Sequence, residues 1–189
     1  MVRGDLTVFW KTLSLALSLP LAALAFDIGP KVGATVPALH VIDVAGKPAT
    51  VHGLAGRKGI VLLFFRSAKW CPYCQKQLTD FEAAEAPLAA RGYSLAAVSY
   101  DLPDVLSGFA TKRGVTYHLL SDPGSVTIDA FNLRDPQYVA GSFAYGVPRP
   151  AIFVISPKRV LLAKLAEEGF KVRPTVQAVL DAVDGLPKP

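Results

Sequence analysis

Apolar and polar positions divide the chain into segments of two different periods. Residues 38–43 and 48–52 are short extended runs joined by 44-VAGK-47, with Gly46 as the turn residue, and they predict a hairpin. Residues 59–65 are almost continuously apolar between charged neighbours, the pattern of a strand covered on both faces. From 72 to 90 the period becomes helical. Leu78, Phe81, Ala84 and Leu88 fall on one face, Pro87 should kink or interrupt the helix, and Gly92 ends it. A strand over 93–100, a helix over 103–114 and a strand over 117–121 follow. A short helix over 123–132 has Asp122 as its N-cap and Pro123 in its first position. The irregular stretch 133–150 leads into a strand over 151–156. A turn at 157–159, a strand over 160–165 and a helix over 173–186 complete the chain.

Strands that alternate with helices predict an α/β architecture of three layers: a central mixed, mostly parallel sheet with helices on both faces. The first hairpin is an N-terminal extension of that sheet, and the last hairpin adds antiparallel pairing at one side. A chain of 189 residues fits one such domain.

The N-terminal segment reads differently. Arg3 and Lys11 precede a run, 12-TLSLALSLPLAALA-25, that is apolar, rich in small residues and closed by Ala23-Leu24-Ala25. This is the layout of a secretory signal with an A-x-A cleavage site. The run falls short of the ~20 residues a spanning helix needs, although an uncleaved anchor is the competing reading. Residues 1–25 are therefore expected to be a signal peptide and 26–189 the folded domain. The domain is expected outside the cytoplasm, in a bacterial periplasm, with membrane contact only if the segment stays attached. Cleavage after Ala25 removes Arg3 and Lys11 against Asp5, so the formal charge falls by one, 5 − 1 = +4. With 51% hydrophobic and 19% charged residues the chain can build a core. No Lys/Arg cluster of the kind that marks a nucleic-acid surface interrupts it.

Export alters how the two cysteines are read. Both lie in 66-RSAKWCPYCQKQL-78, between the central strand and the first long helix. Pro72 suits the first helical position, which places Cys71 near the N-cap, where free backbone N–H groups face its sulfur. The helix dipole favours an anion there by about 0.3–1 kcal/mol. Arg66, Lys69 and Lys76 push the thiol the same way, whereas Trp70 can desolvate it. Cys74 lies one turn on, on the same side of the helix and deeper. That spacing assigns Cys71 as nucleophile and Cys74 as the resolving thiol. A purely structural bridge would close too small a loop to restrain the unfolded chain much. Zinc needs four ligands, and His40, His52 and His118 show no ligand spacing, so neither metal nor cofactor is expected. His118 reads as a structural histidine. Asp101 and Asp122 end strands on the edge that carries Cys71, where ligands gather in open α/β sheets.

The segment 63-LFFRSAKWCPYCQKQL-78 resembles the active-site region of the thioredoxin-like superfamily. It is most similar to the redoxin branch, the peroxiredoxin-like proteins of the alkyl hydroperoxide reductase/thiol-specific antioxidant group. The stretch 32–65 and the blocks 97-AVSYD-101, 121-SDPGS-125 and 146-GVPRPAIFVIS-156 look like family blocks as well. The resemblance implies a thioredoxin-like fold. It also implies a cis-proline at Pro150, with Pro148 as the competitor, facing the dithiol, and an arginine beside the thiolate, either Arg149 or Arg66. Trp70, Pro72 and Tyr73 would form the substrate-facing rim. The chain departs from the peroxiredoxin pattern P-x-x-x-T-x-x-C. Counting back from Cys71, Ala68 stands at the threonine place, Phe64 at the proline place, and Ser67 is one position off.

The expected function is that of an exported thiol–disulfide oxidoreductase acting on protein or small-molecule disulfides, with an external thiol as electron donor. The alternative is a thiol peroxidase in which Cys71 is peroxidatic and Cys74 resolves it. A non-catalytic metal-delivery protein is the reading from a different class.

Overall fold

Six consecutive buried residues, Gly59–Phe64, form the strand β3 at the centre of the molecule. Their side chains alternate between two faces. Val61, Leu63 and the following Phe65 belong to one hydrophobic cluster, and Ile60, Leu62 and Phe64 to another. A strand of this composition is stable only with both faces covered, and each large side chain removed from water contributes roughly 1.5–3 kcal/mol. The computed structural model of the protein describes residues 28–187, together with Met1. The expected signal segment 1–25 lies outside the described residues, apart from Met1.

The other strands are β1 Val41–Asp43, β2 Pro48–Ala49, β4 Tyr93–Ser99, β5 His118–Ser121, β6 Ala151–Ile155 and β7 Leu161–Leu165. With β3 they form one sheet of order β2-β1-β5-β4-β3-β6-β7. The three middle strands β5, β4 and β3 are parallel. β6 runs antiparallel to β3 in the register Leu62↔Phe153, and β7 and β1 also pair antiparallel. The N-terminal hairpin β1–β2 extends the sheet at one edge.

Helices α2 Pro72–Asp80, α3 Glu85–Ala90, α4 Pro103–Arg113 and α6 Val176–Asp184 supply Leu78, Leu88, Leu106 and Val179 to one face. Helices α1 Val51–Leu54 and α5 Val126–Ala130 cover the other with Val51 and Ile128, aided by Ile28, Val36 and Leu39. This is the three-layer α/β arrangement that the alternation of periods predicts.

Three elements differ from the sequence expectation. The segment read as a strand through residue 52 turns helical at Val51, because the Thr50 hydroxyl accepts from the Gly53 amide and caps a single turn. The helix expected over 72–90 is divided by a 3₁₀ turn at Phe81–Ala84. Pro87 has no N–H for the Ala83 carbonyl and its ring crowds that group, so the chain tightens before it. The α5 helix begins at Val126, not Pro123. Its N-cap position is Ser125, not Asp122, but the Asp122 carboxylate still serves the helix start from three residues earlier, accepting from the Ile128 amide at 2.8 Å.

Candidate active site

Strand β3 ends at Phe64, and the next seven residues carry the chain over the sheet edge into α2. This loop is fixed by one buried carboxylate. Asp101, just past β4, accepts from the Ser67 hydroxyl (2.8 Å), the Ala68 amide (2.6 Å) and the Ser99 hydroxyl (2.9 Å). Ser67 Oγ in turn accepts from the Lys69 amide at 2.9 Å. Gln75 Nε2 donates to the Ala68 carbonyl, and Trp70 Nε1 donates to the Tyr100 hydroxyl at 2.9 Å. Burial pushes the Asp101 carboxyl upward, while these hydrogen bonds pull the other way. Asp101 is thus an anchor of the loop rather than a ligand on its edge.

Cys71 is the N-cap of α2, with extended backbone, and Pro72 follows at the first helical position. Its sulfur accepts from the Cys74 amide at 3.2 Å, so one orphan donor of the helix start does point at Sγ. Cys71 and Cys74 are joined by a disulfide with Cα atoms 5.2 Å apart. Cys74 is fully buried and Cys71 is only 2% exposed. The accessible first sulfur that a nucleophile calls for is therefore not seen in the oxidised form, because both sulfurs belong to the hydrophobic cluster.

Around the disulfide stands an aromatic rim drawn from three loops and the first turn of α2. Trp70 packs edge-on against Phe143 (5.3 Å), Phe143 against Tyr138 (5.9 Å), and Tyr73 against Phe170 (6.0 Å). Phe143 and Tyr73 are exposed. Within this rim the Arg66 guanidinium is buried among three rings, 4.2 Å from the Phe170 centroid, 5.0 Å from Trp70 and 5.1 Å from Tyr138. It donates to the Tyr138 hydroxyl, and its Nε has no partner.

A second guanidinium reaches the disulfide from the segment between β7 and α6. Arg173 Nη2 lies 3.5 Å from Cys74 Sγ. Burial, and then the like charge of Arg66, push the Arg173 pKa down to about 10. Arg173 also lines a cavity of about 290 Å³ with Tyr73, Lys76, Gln77 and Lys171.

Of the residues singled out from sequence, the structure gathers Cys71, Cys74, Trp70, Pro72, Tyr73 and Arg66 at one place. It separates the others. The Arg149 guanidinium donates to the Asn132 carbonyl at 3.0 Å. With Pro150 it lines a neighbouring cavity of about 370 Å³ that includes Phe170. The bond before Pro150 is trans, as are all described peptide bonds, including that before Pro148. The loop enters β6 already extended, held by the Arg149 amide on the Leu133 carbonyl at 2.7 Å and by the bridge of Arg134 with Pro148. His118 is exposed at the start of β5, the end of the sheet away from the disulfide, and is not a packed structural histidine. Lys76 is exposed and paired with Asp80 at 2.6 Å. Among the described residues no three His, Cys, Asp or Glu side chains converge as metal ligands. Arg173, Phe170, Tyr138 and Phe143 were beyond sequence reasoning. They lie 72 to 107 positions from Arg66, and no local pattern marks them.

A C-x-x-C disulfide that caps a helix after the central strand of a sheet of this order defines a thiol oxidoreductase of thioredoxin-like fold. The chain belongs to the AhpC/TSA family, whose model matches residues 32–164. A Mycobacterium tuberculosis protein named among the peroxiredoxins is 27% identical over 132 residues, 70% of this chain and 83% of that one. The thiol-disulfide oxidoreductase ResA of Halalkalibacterium halodurans is 26% identical over 93 residues, 49% of this chain and 51% of its own length. Among solved structures, the peroxidoxin BcpB of Mycobacterium tuberculosis superposes with a TM-score of 0.71 at 24% identity, covering 84% of this chain and 99% of that one.

Proposed function

We propose that the protein is an exported thiol–disulfide oxidoreductase in which Cys71 attacks and Cys74 resolves. The observation that carries this reading is the disulfide itself, closed within one helical turn at a helix N-terminus. No rearrangement is needed to bring the two sulfurs together. In the reduced form the Cys71 thiolate attacks a substrate disulfide. One substrate sulfur leaves as a thiolate and the other is held in a mixed disulfide. Cys74 then attacks Cys71 Sγ and releases the second substrate thiol, and an external thiol restores the dithiol. The substrate is a protein or small-molecule disulfide that enters past the rim of Trp70 and Tyr73. Export rests on residues 1–25 alone, read as a signal peptide, and a periplasmic location follows from it.

A second reading, thiol peroxidase, is favoured by the relatives named as peroxiredoxins. A hydroperoxide would oxidise the Cys71 thiolate to sulfenic acid, releasing an alcohol or water, and Cys74 would displace water to close the disulfide. Against it stands Ser67, the hydroxyl nearest the pattern position, which is spent on Asp101.

Two experiments separate these readings. Cys74→Ser should trap mixed disulfides with partner proteins and Cys71→Ser should trap none, as seen on non-reducing gels. The reverse pattern inverts the roles. Reduction of a protein disulfide should outpace thiol consumption driven by hydrogen peroxide, and fast peroxide turnover with negligible disulfide reduction would establish the second reading.

A further inference from the structure

The charge arrangement around the two sulfurs is lopsided. Cys71 has the helix start: its Sγ accepts the Cys74 amide, and a thiolate there is favoured by the dipole. Cys74 sits inside the first turn, fully buried, with its own amide already given to Cys71. Burial alone would disfavour an anion at such a sulfur. The group that meets it is the Arg173 guanidinium at 3.5 Å. That guanidinium has an unpartnered buried Nε, and among the described residues no carboxylate pairs with it or with Arg66. A neutral disulfide sulfur is a poor acceptor, so the half-buried Arg173 cation, repelled by the buried Arg66, stands next to a group with no charge to offer it. A buried charge left in that state is costly, and opening the disulfide supplies the missing anion.

Resting on the reading of Cys71 and Cys74 as a working dithiol, the geometry points to Arg173 as a catalytic residue that serves as the counter-cation of the Cys74 sulfur. In regeneration, a donor thiolate attacks Cys71 Sγ and forms the mixed disulfide. The Cys71–Cys74 bond breaks, and its electron pair stays on Cys74 Sγ, against Arg173. A second donor thiolate attacks the donor sulfur of the mixed disulfide and releases the oxidised donor and the Cys71 thiolate. A better stabilised leaving thiolate leaves faster. In the forward direction the same contact keeps Cys74 ionised and ready to attack Cys71. Because Arg173 favours the reduced state over the oxidised one, it makes the dithiol more oxidising.

The test is a redox equilibrium against glutathione, run on wild type, Arg173→Gln and Arg173→Lys. Arg173→Gln is expected to shift the equilibrium about tenfold toward the disulfide, which corresponds to about 30 mV. Arg173→Lys, which keeps the charge, should recover most of that shift. In a Cys71→Ser background, the thiolate absorbance of Cys74 should titrate about one unit higher when Arg173 is Gln, the counterpart of the tenfold change. A folded Arg173→Gln protein with an equilibrium within twofold of wild type overturns the inference, as does an equal shift in Gln and Lys. Either leaves the dithiol reading standing. A wild-type disulfide that resists excess dithiothreitol overturns the dithiol reading itself, and this inference with it.

Discussion

Asp101 shows how one side chain sets the site without touching the sulfurs. Three donors converge on it, two of them from the loop that delivers Cys71. Asp101→Ala leaves all three buried and unsatisfied, and the expected loss is about 3 kcal/mol in urea unfolding. Asp101→Asn keeps the shape and one acceptor and should cost less. Its deficit should also vary with pH. Burial raises the Asp101 pKa in the folded state, so this group's contribution is complete below its unfolded value of about 3.9 and is lost as pH rises through the folded one. The Asn variant lacks that dependence, so the gap between it and wild type should narrow as the pH is raised from about 4. Sequence alone placed Asp101 on the correct edge but suggested a ligand, because nothing local shows that Ser67, Ala68 and Ser99 would turn toward it. Arg173 was wholly illegible: its contact with Cys74 spans 99 positions.

At the scale of elements, the sequence was most readable where a local rule acts unopposed. Cys71 as N-cap and Pro72 at the first helical position followed from the helix start, and the six apolar residues of β3 from their continuity. Reading failed where tertiary closeness decides, as in the stretch 133–150, whose aromatic side chains take their places by meeting Trp70 and Arg66. Two glycines give a measurable contrast. Gly59 has a φ of +145°, and a Cβ there would meet the Ile155 carbonyl oxygen at 2.1 Å, at the end of the β3–β6 pairing. Gly59→Ala is expected to cost about 3 kcal/mol or more. Gly108, inside α4, has nothing within 4 Å of that position. Gly108→Ala should raise stability by about 0.5–1 kcal/mol, chiefly by restricting the unfolded chain. Both are read from the midpoint of chemical denaturation.

For the molecule as a whole, the architecture was legible from the alternation of periods, since a sheet fed by helices has few ways to close. The strand order places the three parallel strands in the middle and gathers their C-terminal ends at Cys71, Asp101 and Asp122. If residues 1–25 are removed on export, N-terminal sequencing of protein recovered from the periplasmic fraction should begin at Phe26, and an intact Met1 in that fraction would point to a tether. The same cleavage would remove Trp10, leaving Trp70 as the sole indole of the mature chain. That indole is hydrogen-bonded to Tyr100, capped by Phe143, 5.0 Å from a guanidinium and next in sequence to a bridged sulfur. Disulfides quench indole emission, so the exported protein would carry a built-in optical gauge of its own electron count. Its fluorescence should brighten as the bridge opens and dim as it closes, which allows turnover to be followed in real time without a dye.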